Sequence, residues 1–331
     1  MTILYVSDEK YAHLLGVSLT SVCVNNKEEK ELYFFVIDNG ISEENKIKIK
    51  NTVNRYGREV LFFSVNGTIP LKKIGRWSAN IFCRIFFESI IGKDLIDDRI
   101  IYLDCDTVVV DDLKELWEID LNGNICAAVY ECMGERHKKK SLLSSACPYF
   151  NSGMLLIDVQ KWSEANIEEK AQEILEINTG TKMEYPDEGL LNNLLQRKIK
   201  IVGPKYNLTT IKCVFTYEQL RIYRKSKYMY SEKEYSEAKD SPCIIHYTNN
   251  FLVSRPWYSA KGEMHPLADY YYHYKKESEW KDIELLEEHV SFFKKIARKL
   301  FSINQKICVY ITGWIYEYIK PLKYNKLIMP K

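Results

Sequence analysis

No excess of either charge marks this chain of 331 residues: 47 Lys and Arg face 45 Asp and Glu. The net +2 excludes a globally basic nucleic-acid binder. Cysteine pairs are missing too. The nine cysteines, at positions 23, 83, 105, 126, 132, 147, 213, 243 and 308, are odd in number and form no CxxC. Several sit in apolar runs such as 125–130, which fits buried thiols in a reducing compartment rather than a disulfide frame or a zinc site. There is no run of about 18 uncharged apolar residues, so no membrane-spanning helix is expected. The N-terminal MTILYVSDEK meets an acid at Asp8 and lacks the basic start and apolar stretch of a signal peptide, so a cytoplasmic location is expected. The N-x-S/T triplets at Asn66 and Asn207 carry little weight without export. GxGxxG, GxxxxGK[ST], HExxH and GxSxG are all absent.

What is present is a core-forming composition, 46% hydrophobic and 28% charged. Short apolar runs at 3–7, 32–38, 59–65 and 99–103 read as strands. Helical patterns at 12–25, at 43–56 behind the capping residue Ser42, and at 78–91 alternate with them. Such alternation predicts an α/β fold, a mostly parallel, Rossmann-like sheet with helices on both faces. Farther on, 111–117, 160–177 and 186–196 read as helices, and 125–130, 154–159, 199–202 and 243–247 as strands. No repeat or Gly/Ser linker interrupts residues 1–270, which read as one domain.

Residues 271–331 read as a helical appendage. From 290 onward there are nine Lys or Arg and one acid, Glu317, against 38 basic and 44 acidic groups before it. Ile303, Ile307, Ile311, Trp314, Tyr318 and Leu322 recur at helical spacing, and Phe292, Phe293, Ile296 and Leu300 continue the stripe upstream. A basic amphipathic helix with Trp and Tyr fits an anionic membrane surface. Packing on its own domain or on a second subunit is the alternative.

The chemistry concentrates in IIYLDCDTVVV, residues 100–110. Asp104 and Asp106 stand where an apolar strand emerges, and ligands bind at the carboxyl ends of such strands. Two hard oxygen ligands there suit Mn²⁺ or Mg²⁺ held together with substrate phosphates; solvated turn aspartates are the plain alternative. The same residues match the nucleophile loop of haloacid-dehalogenase-type phosphatases, with Asp104 attacking phosphorus and Asp106 shuttling the proton. That family opens its core domain with this strand, whereas here several strand–helix units precede it.

Five other segments bear on the choice. They are Val6-Ser7-Asp8 with Tyr11, Arg84 in the expected helix, Asn151 within YFNSG, Asp187-Glu188 behind Pro186, and His246 followed by Arg255-Pro256-Trp257. Together with Asp104 and Asp106, and in this order, they resemble glycosyltransferase family 8, the retaining GT-A group, over residues 3–257. The resemblance implies a GT-A fold and transfer of a hexose, galactose or glucose, from a UDP-sugar to a saccharide acceptor. Asp104, Asp106 and His246 would hold Mn²⁺, with Mg²⁺ as the alternative. Val6, Ser7, Asp8, Tyr11 and Cys105 would line the nucleotide, Asp8 accepting the uracil N–H and Tyr11 stacking on the base. Arg84, Asn151, Asp187 and Glu188 would face the donor sugar, and Arg255 the β-phosphate. The chain departs from relatives at Lys10, where a polar amide is frequent, and at Glu188, where several carry Gln. Arg255 replaces a Lys and follows His246 across an inserted loop, 248–254. The implied setting is cell-surface polysaccharide or lipopolysaccharide-type synthesis, with a lipid-linked acceptor at the inner leaflet. A non-catalytic sugar-nucleotide-binding protein is the third reading.

Overall fold

The computed structural model describes residues 1–65, 79–259 and 262–330. It begins with β1 (Thr2–Ser7), α1 (Ala12–Asn25), β2 (Tyr33–Asp38), α2 (Glu43–Asn54) and β3 (Glu59–Ser64). Ser42 starts α2 by accepting a hydrogen bond from Asn45 N. A short α3 (Phe87–Ile91) leads to β4 (Arg99–Leu103), and a tight turn to β5 (Thr107–Val109). There follow α4 (Lys114–Trp117), β6 (Cys126–Tyr130), α5 (Glu135–Lys138), β7 (Phe150–Asp158), α6 (Val159–Glu164), α7 (Ile167–Ile177), α8 (Pro186–Leu194) and β8 (Ile199–Ile201).

Seven strands form the main sheet in the order β3-β2-β1-β4-β7-β6-β8. The β3–β2, β2–β1, β1–β4 and β6–β8 pairs are parallel, and β7 runs antiparallel to both its neighbours. The sheet is thus mostly parallel, as the alternation predicts. Alternate residues of β1 divide between its faces: Ile3 and Tyr5 enter one buried cluster, Leu4 the other. The chain order reverses between β1 and β4. That switch point opens a crevice at their carboxyl ends, where Asp8 and Asp104 emerge.

A smaller sheet completes the crevice. After β9 (Leu208–Thr209) come α9 (Thr210–Val214), α10 (Tyr217–Arg224), α11 (Glu232–Asp240) and β10 (Ile244–His246). Strand β10 runs antiparallel to β5 with His246 opposite Thr107, which delivers the imidazole beside Asp106. The chain continues through β11 (Val253–Ser254), β12 (Tyr258–Ser259), β13 (Glu263–Met264), α12 (Ala268–Glu277) and β14 (Leu286–Glu287) to α13 (Phe292–Ile303) and α14 (Gln305–Trp314).

Four expected elements change form. The helix expected over 78–91 has its first residue, Ser78, outside the described residues, and the rest is broken. A 3-10 turn at Ala79–Phe82 and a bend precede α3, so Arg84 lies in a turn. Phe82, Cys83, Ile85, Phe86 and Phe87 are all buried, which the single face of a regular surface helix cannot achieve. The 160–177 helix is two, separated at Asn166, whose φ of 52° is left-handed. The 154–159 strand starts earlier, at Phe150, so Asn151 is a strand residue rather than a turn residue. The tail stripe breaks at Asn304, which ends α13 and caps α14 by accepting from Ile307 N. Residues beyond 270 return to the body: Tyr316 joins the core that contains β1, and Ile328 N donates to Asn178.

Candidate active site

Strand β4 ends in Leu103, and the turn behind it projects Asp104 and Asp106 into the crevice. His246 Nε2 lies 3.1 Å from Asp106 Oδ1 and 3.7 Å from Asp104 Oδ2. One ligand atom from each of the three residues falls within 4.8 Å of the others, a spacing for one divalent cation. The surroundings fit that use. His246 Nδ1 donates to Asn207 Oδ1 at 3.0 Å, leaving Nε2 free to present a lone pair. Gly153 of β7 leaves the room: a Cβ there would stand 2.7 Å from His246 Nδ1 and 2.8 Å from Asp104 Oδ2. Two carboxylates and an imidazole suit Mn²⁺ better than Mg²⁺.

Burial alone would lower the proton affinity of His246, but Asp106 and Asp104 outweigh it and raise the pKa. Burial would raise that of Asp106; His246 and Arg255 reverse this and hold it below the usual range. The contacts between His246 and Asp106 thus favour the charged form of each partner against the effect of burial. Arg84 adds positive charge here, with its guanidinium 2.9 Å from Asp104 Oδ1 and 3.4 Å from Asp187 Oδ2, over the Tyr102 ring. Tyr102 donates to Asp104 at 2.6 Å.

A line of buried polar groups joins this cluster to the first turn of α8. Asn207 Nδ2 donates to Asn151 Oδ1 at 2.8 Å, and Asn151 Nδ2 donates to Glu188 Oε2 at 3.0 Å. Burial, then Glu131 and Asp187, push the Glu188 carboxyl well above its ordinary value. Burial also raises Asp187, against the pull of Arg84. Asn207 is fully buried and bonded on both sides, so its triplet is no glycosylation acceptor. Asn66 lies outside the described residues.

Two cavities share Arg84 and the aspartate pair here, and a third adjoins one of them at Asn249. One of about 260 Å³ is lined by Val6, Ser7, Asp8, Tyr11, Cys105 and Arg84 together with both aspartates; Asp8 caps the turn by accepting from Tyr11 N. A second, about 510 Å³, holds Arg84, Asp104, Asp106, Asn151, Asp187, Glu188 and His246. A third, about 500 Å³, holds Arg255. Arg255 packs against the Trp257 and Tyr258 rings and stands 3.9 Å from Asp106. The expected site residues are thus gathered around the aspartate pair, with Arg255 at its edge.

The 510 Å³ cavity also has walls that the sequence reading missed: Glu131, Arg224, Tyr316 and Lys320. Arg224 donates to Glu131 Oε1 at 2.5 Å and to the Tyr316 hydroxyl, and Lys320 reaches Glu184 at 3.3 Å. Tyr316 and Lys320 come from the tail. Glu131 was legible: it follows the apolar strand β6, as Asp104 follows β4. No local signal marks Arg224 or Lys320.

Comparison with known proteins gives the family and the fold. The profile of Glycosyl transferase family 8 matches residues 2–260. General stress protein A of Bacillus subtilis is 29% identical over 295 residues, covering 86% of this chain and 96% of that protein. Lipopolysaccharide 1,2-glucosyltransferase of Escherichia coli K12 is 28% identical over 325 residues, covering 96% and 90%. Among solved structures, an active-site Gln-to-Glu mutant of LgtC superposes with a TM-score of 0.67 at 25% identity, covering 84% of this chain and 96% of that one. The fold is that of a GT-A glycosyltransferase, which sets the phosphatase reading aside. The chain belongs to glycosyltransferase family 8.

Proposed function

We propose that this hexosyltransferase moves galactose or glucose from a UDP-sugar to a saccharide acceptor with retention of anomeric configuration, in cell-surface glycan synthesis. The observation that carries the reading is the meeting of the 260 Å³ and 510 Å³ cavities at Asp104 and Asp106, beside His246. In it the 260 Å³ cavity takes the uridine, with Asp8 for the uracil N–H and Tyr11 for the base face. Mn²⁺ held by Asp104, Asp106 and His246 would supply Lewis-acid neutralisation of the diphosphate. Arg84, Asn151, Asp187 and Glu188 orient the donor sugar. Glu188, where several relatives carry Gln, accepts from Asn151 and is held so that a carboxyl oxygen faces positive charge developing on the sugar. Glu131 and the tail's Lys320 form the remaining wall, which the acceptor would meet.

The setting proposed is the cytoplasmic face of a membrane, with residues 271–331 as an appendage against anionic lipid and a lipid-linked acceptor. No helix among the described residues is long and apolar enough to cross a membrane.

The test is a panel of UDP-sugars with Mn²⁺, read as slow release of UDP without acceptor. One UDP-hexose should be consumed, and Asp106→Ala should abolish its consumption. Binding of UDP-sugars without any release would return the chain to the non-catalytic reading. Release unchanged in Asp106→Ala would remove the metal-site assignment.

A further inference from the structure

Cations are disfavoured in the first turn of a helix, where the backbone N–H groups already present positive charge. Helix α13 nevertheless carries Lys294 and Lys295 as its third and fourth residues and has no acid in its first turn. Lys295 is exposed, but Lys294 is turned inward. Its Nζ donates to Asn249 Oδ1 at 3.2 Å and stands 3.8 Å from Glu288. Glu288 is engaged elsewhere, by Arg298 at 3.0 Å and Ser254 at 2.5 Å.

Lys294 shares the 500 Å³ cavity with Arg255. Their side chains are 22% and 20% exposed, so neither charge is fully hydrated. Burial lowers the proton affinity of Lys294, and Arg298 and Arg255 lower it further although Glu288 opposes them. Two like charges on one cavity wall favour a further anion between them, beyond Glu288 at 3.8 Å from Lys294 and Asp106 at 3.9 Å from Arg255. Asn249 shows where that anion comes from. It lines this cavity and also the one that holds Asp104, Asp106 and His246. Lys294 therefore sits across a single side chain from the aspartate cluster, which Arg255 reaches directly at 3.9 Å from Asp106.

We infer that Lys294, carried on α13, pairs with Arg255 to hold the terminal phosphate of the donor's nucleoside diphosphate, so that the C-terminal helical segment is part of the donor site. This rests on the donor reading above and adds a residue to it. It also gives a physical reason for the inserted loop 248–254, which carries Asn249 between the two cavities. A single Arg on a spacing longer than that of relatives gains a second cation from a distant helix.

The test is calorimetric titration of full-length protein with UDP, UMP and uridine, each with Mn²⁺. A charge-assisted phosphate contact predicts that Lys294→Gln weakens UDP binding by about tenfold. UMP, which lacks the terminal phosphate, should change by less than about twofold, and Lys294→Arg should retain UDP binding within about threefold. Unchanged UDP affinity in Lys294→Gln would overturn the assignment. A parallel loss of UMP and uridine would also overturn it, because that pattern marks a scaffold residue. If the wild-type protein binds uridine but shows no preference for UDP, the phosphate site fails while the nucleotide pocket stands. If it binds none of the three, the donor reading fails first and the inference with it.

Discussion

At the scale of single residues, the site depends on groups kept in states they would not choose in water. Glu188 binds its proton more tightly in the folded chain than in the unfolded one, because burial and the neighbouring Glu131 and Asp187 oppose its charge. A carboxyl with a raised folded pKa stabilises the fold below its unfolded value, and that contribution is lost as pH rises through the folded value. Glu188→Gln removes the penalty and keeps an oxygen that can accept from Asn151. Without metal, the variant should match wild type near pH 4 and melt higher by on the order of 2 °C or more at pH 8. An equal offset at both pH values would show that Glu188 does not titrate abnormally. Gly153 makes a different demand, for space. A Cβ there would press on the imidazole of His246 and on Asp104 Oδ2. Gly153→Ala should fold, with a loss of about 1–3 kcal/mol, and should bind Mn²⁺ at least about tenfold more weakly because two ligands are displaced. Full Mn²⁺ affinity in a folded Gly153→Ala would mean that those two residues do not share an ion.

At the scale of elements, one of the contacts that hold the tail is a close backbone approach. A Cβ at Gly313 of α14 would stand 2.8 Å from Tyr223 Cα and 3.0 Å from the Ile222 carbonyl, and backbone of this kind cannot swing aside. Gly313→Ala should therefore loosen α14 from α10 at a cost of about 1–3 kcal/mol. Limited proteolysis should then cut beyond residue 285 sooner than in wild type; equal cleavage rates would mean that the contact does not hold the tail. The elements readable from sequence were those whose burial pattern is local, such as β1, α1 and β4, or whose cap is explicit, such as Ser42. Those misread were settled by partners far away in the chain. Strand β7 begins at Phe150 because Phe150 and Asn151 pair with Tyr130 and Val129 of β6 and the Gly153 carbonyl accepts from Asp104 N, against the turn preference of Asn-Ser-Gly. The turn at Arg84 follows from burying five nearly consecutive apolar side chains. In the site, the rule that found Asp104, an acid behind an apolar strand, applies equally to Glu131. Strand β6 runs antiparallel to β7, and β7 to β4, so β6 and β4 end at the same edge of the sheet. Arg224, Tyr316 and Lys320 obey no such rule, because only tertiary packing brings them there.

At the scale of the whole molecule, charge and apolar surface are distributed unevenly, and the proposed lipid contact would set the direction of the cleft. The tail spends some of its cations inward, Lys294 on Asn249 and Arg298 on Glu288, while Lys295, Lys299 and Lys306 remain outward. Beside them Phe292, Ile303 and Leu322 are 78%, 72% and 71% exposed. A protein that buries Tyr316 of the same segment has no packing use for those side chains. An anionic leaflet has a use for both kinds: about 1 kcal/mol for each Lys or Arg at the surface, and more for each apolar side chain that enters the headgroup boundary. Because Tyr316 and Lys320 also line the 510 Å³ cavity, a leaflet that holds the tail would hold the acceptor side of the cleft near it. Full-length protein should therefore sediment with phosphatidylglycerol-rich vesicles at low salt and less so with phosphatidylcholine ones. The binding should weaken as salt shortens the electrostatic range. The triple variant Phe292→Ser, Ile296→Ser, Ile303→Ser changes only exposed positions and should keep its melting temperature and its hydrolysis of UDP-hexose while losing the vesicles. Sedimentation that ignores lipid charge, or that survives the triple variant, would rule this surface out as the lipid contact. If wild type instead dimerises without lipid and the triple variant does not, the same face is a protein interface.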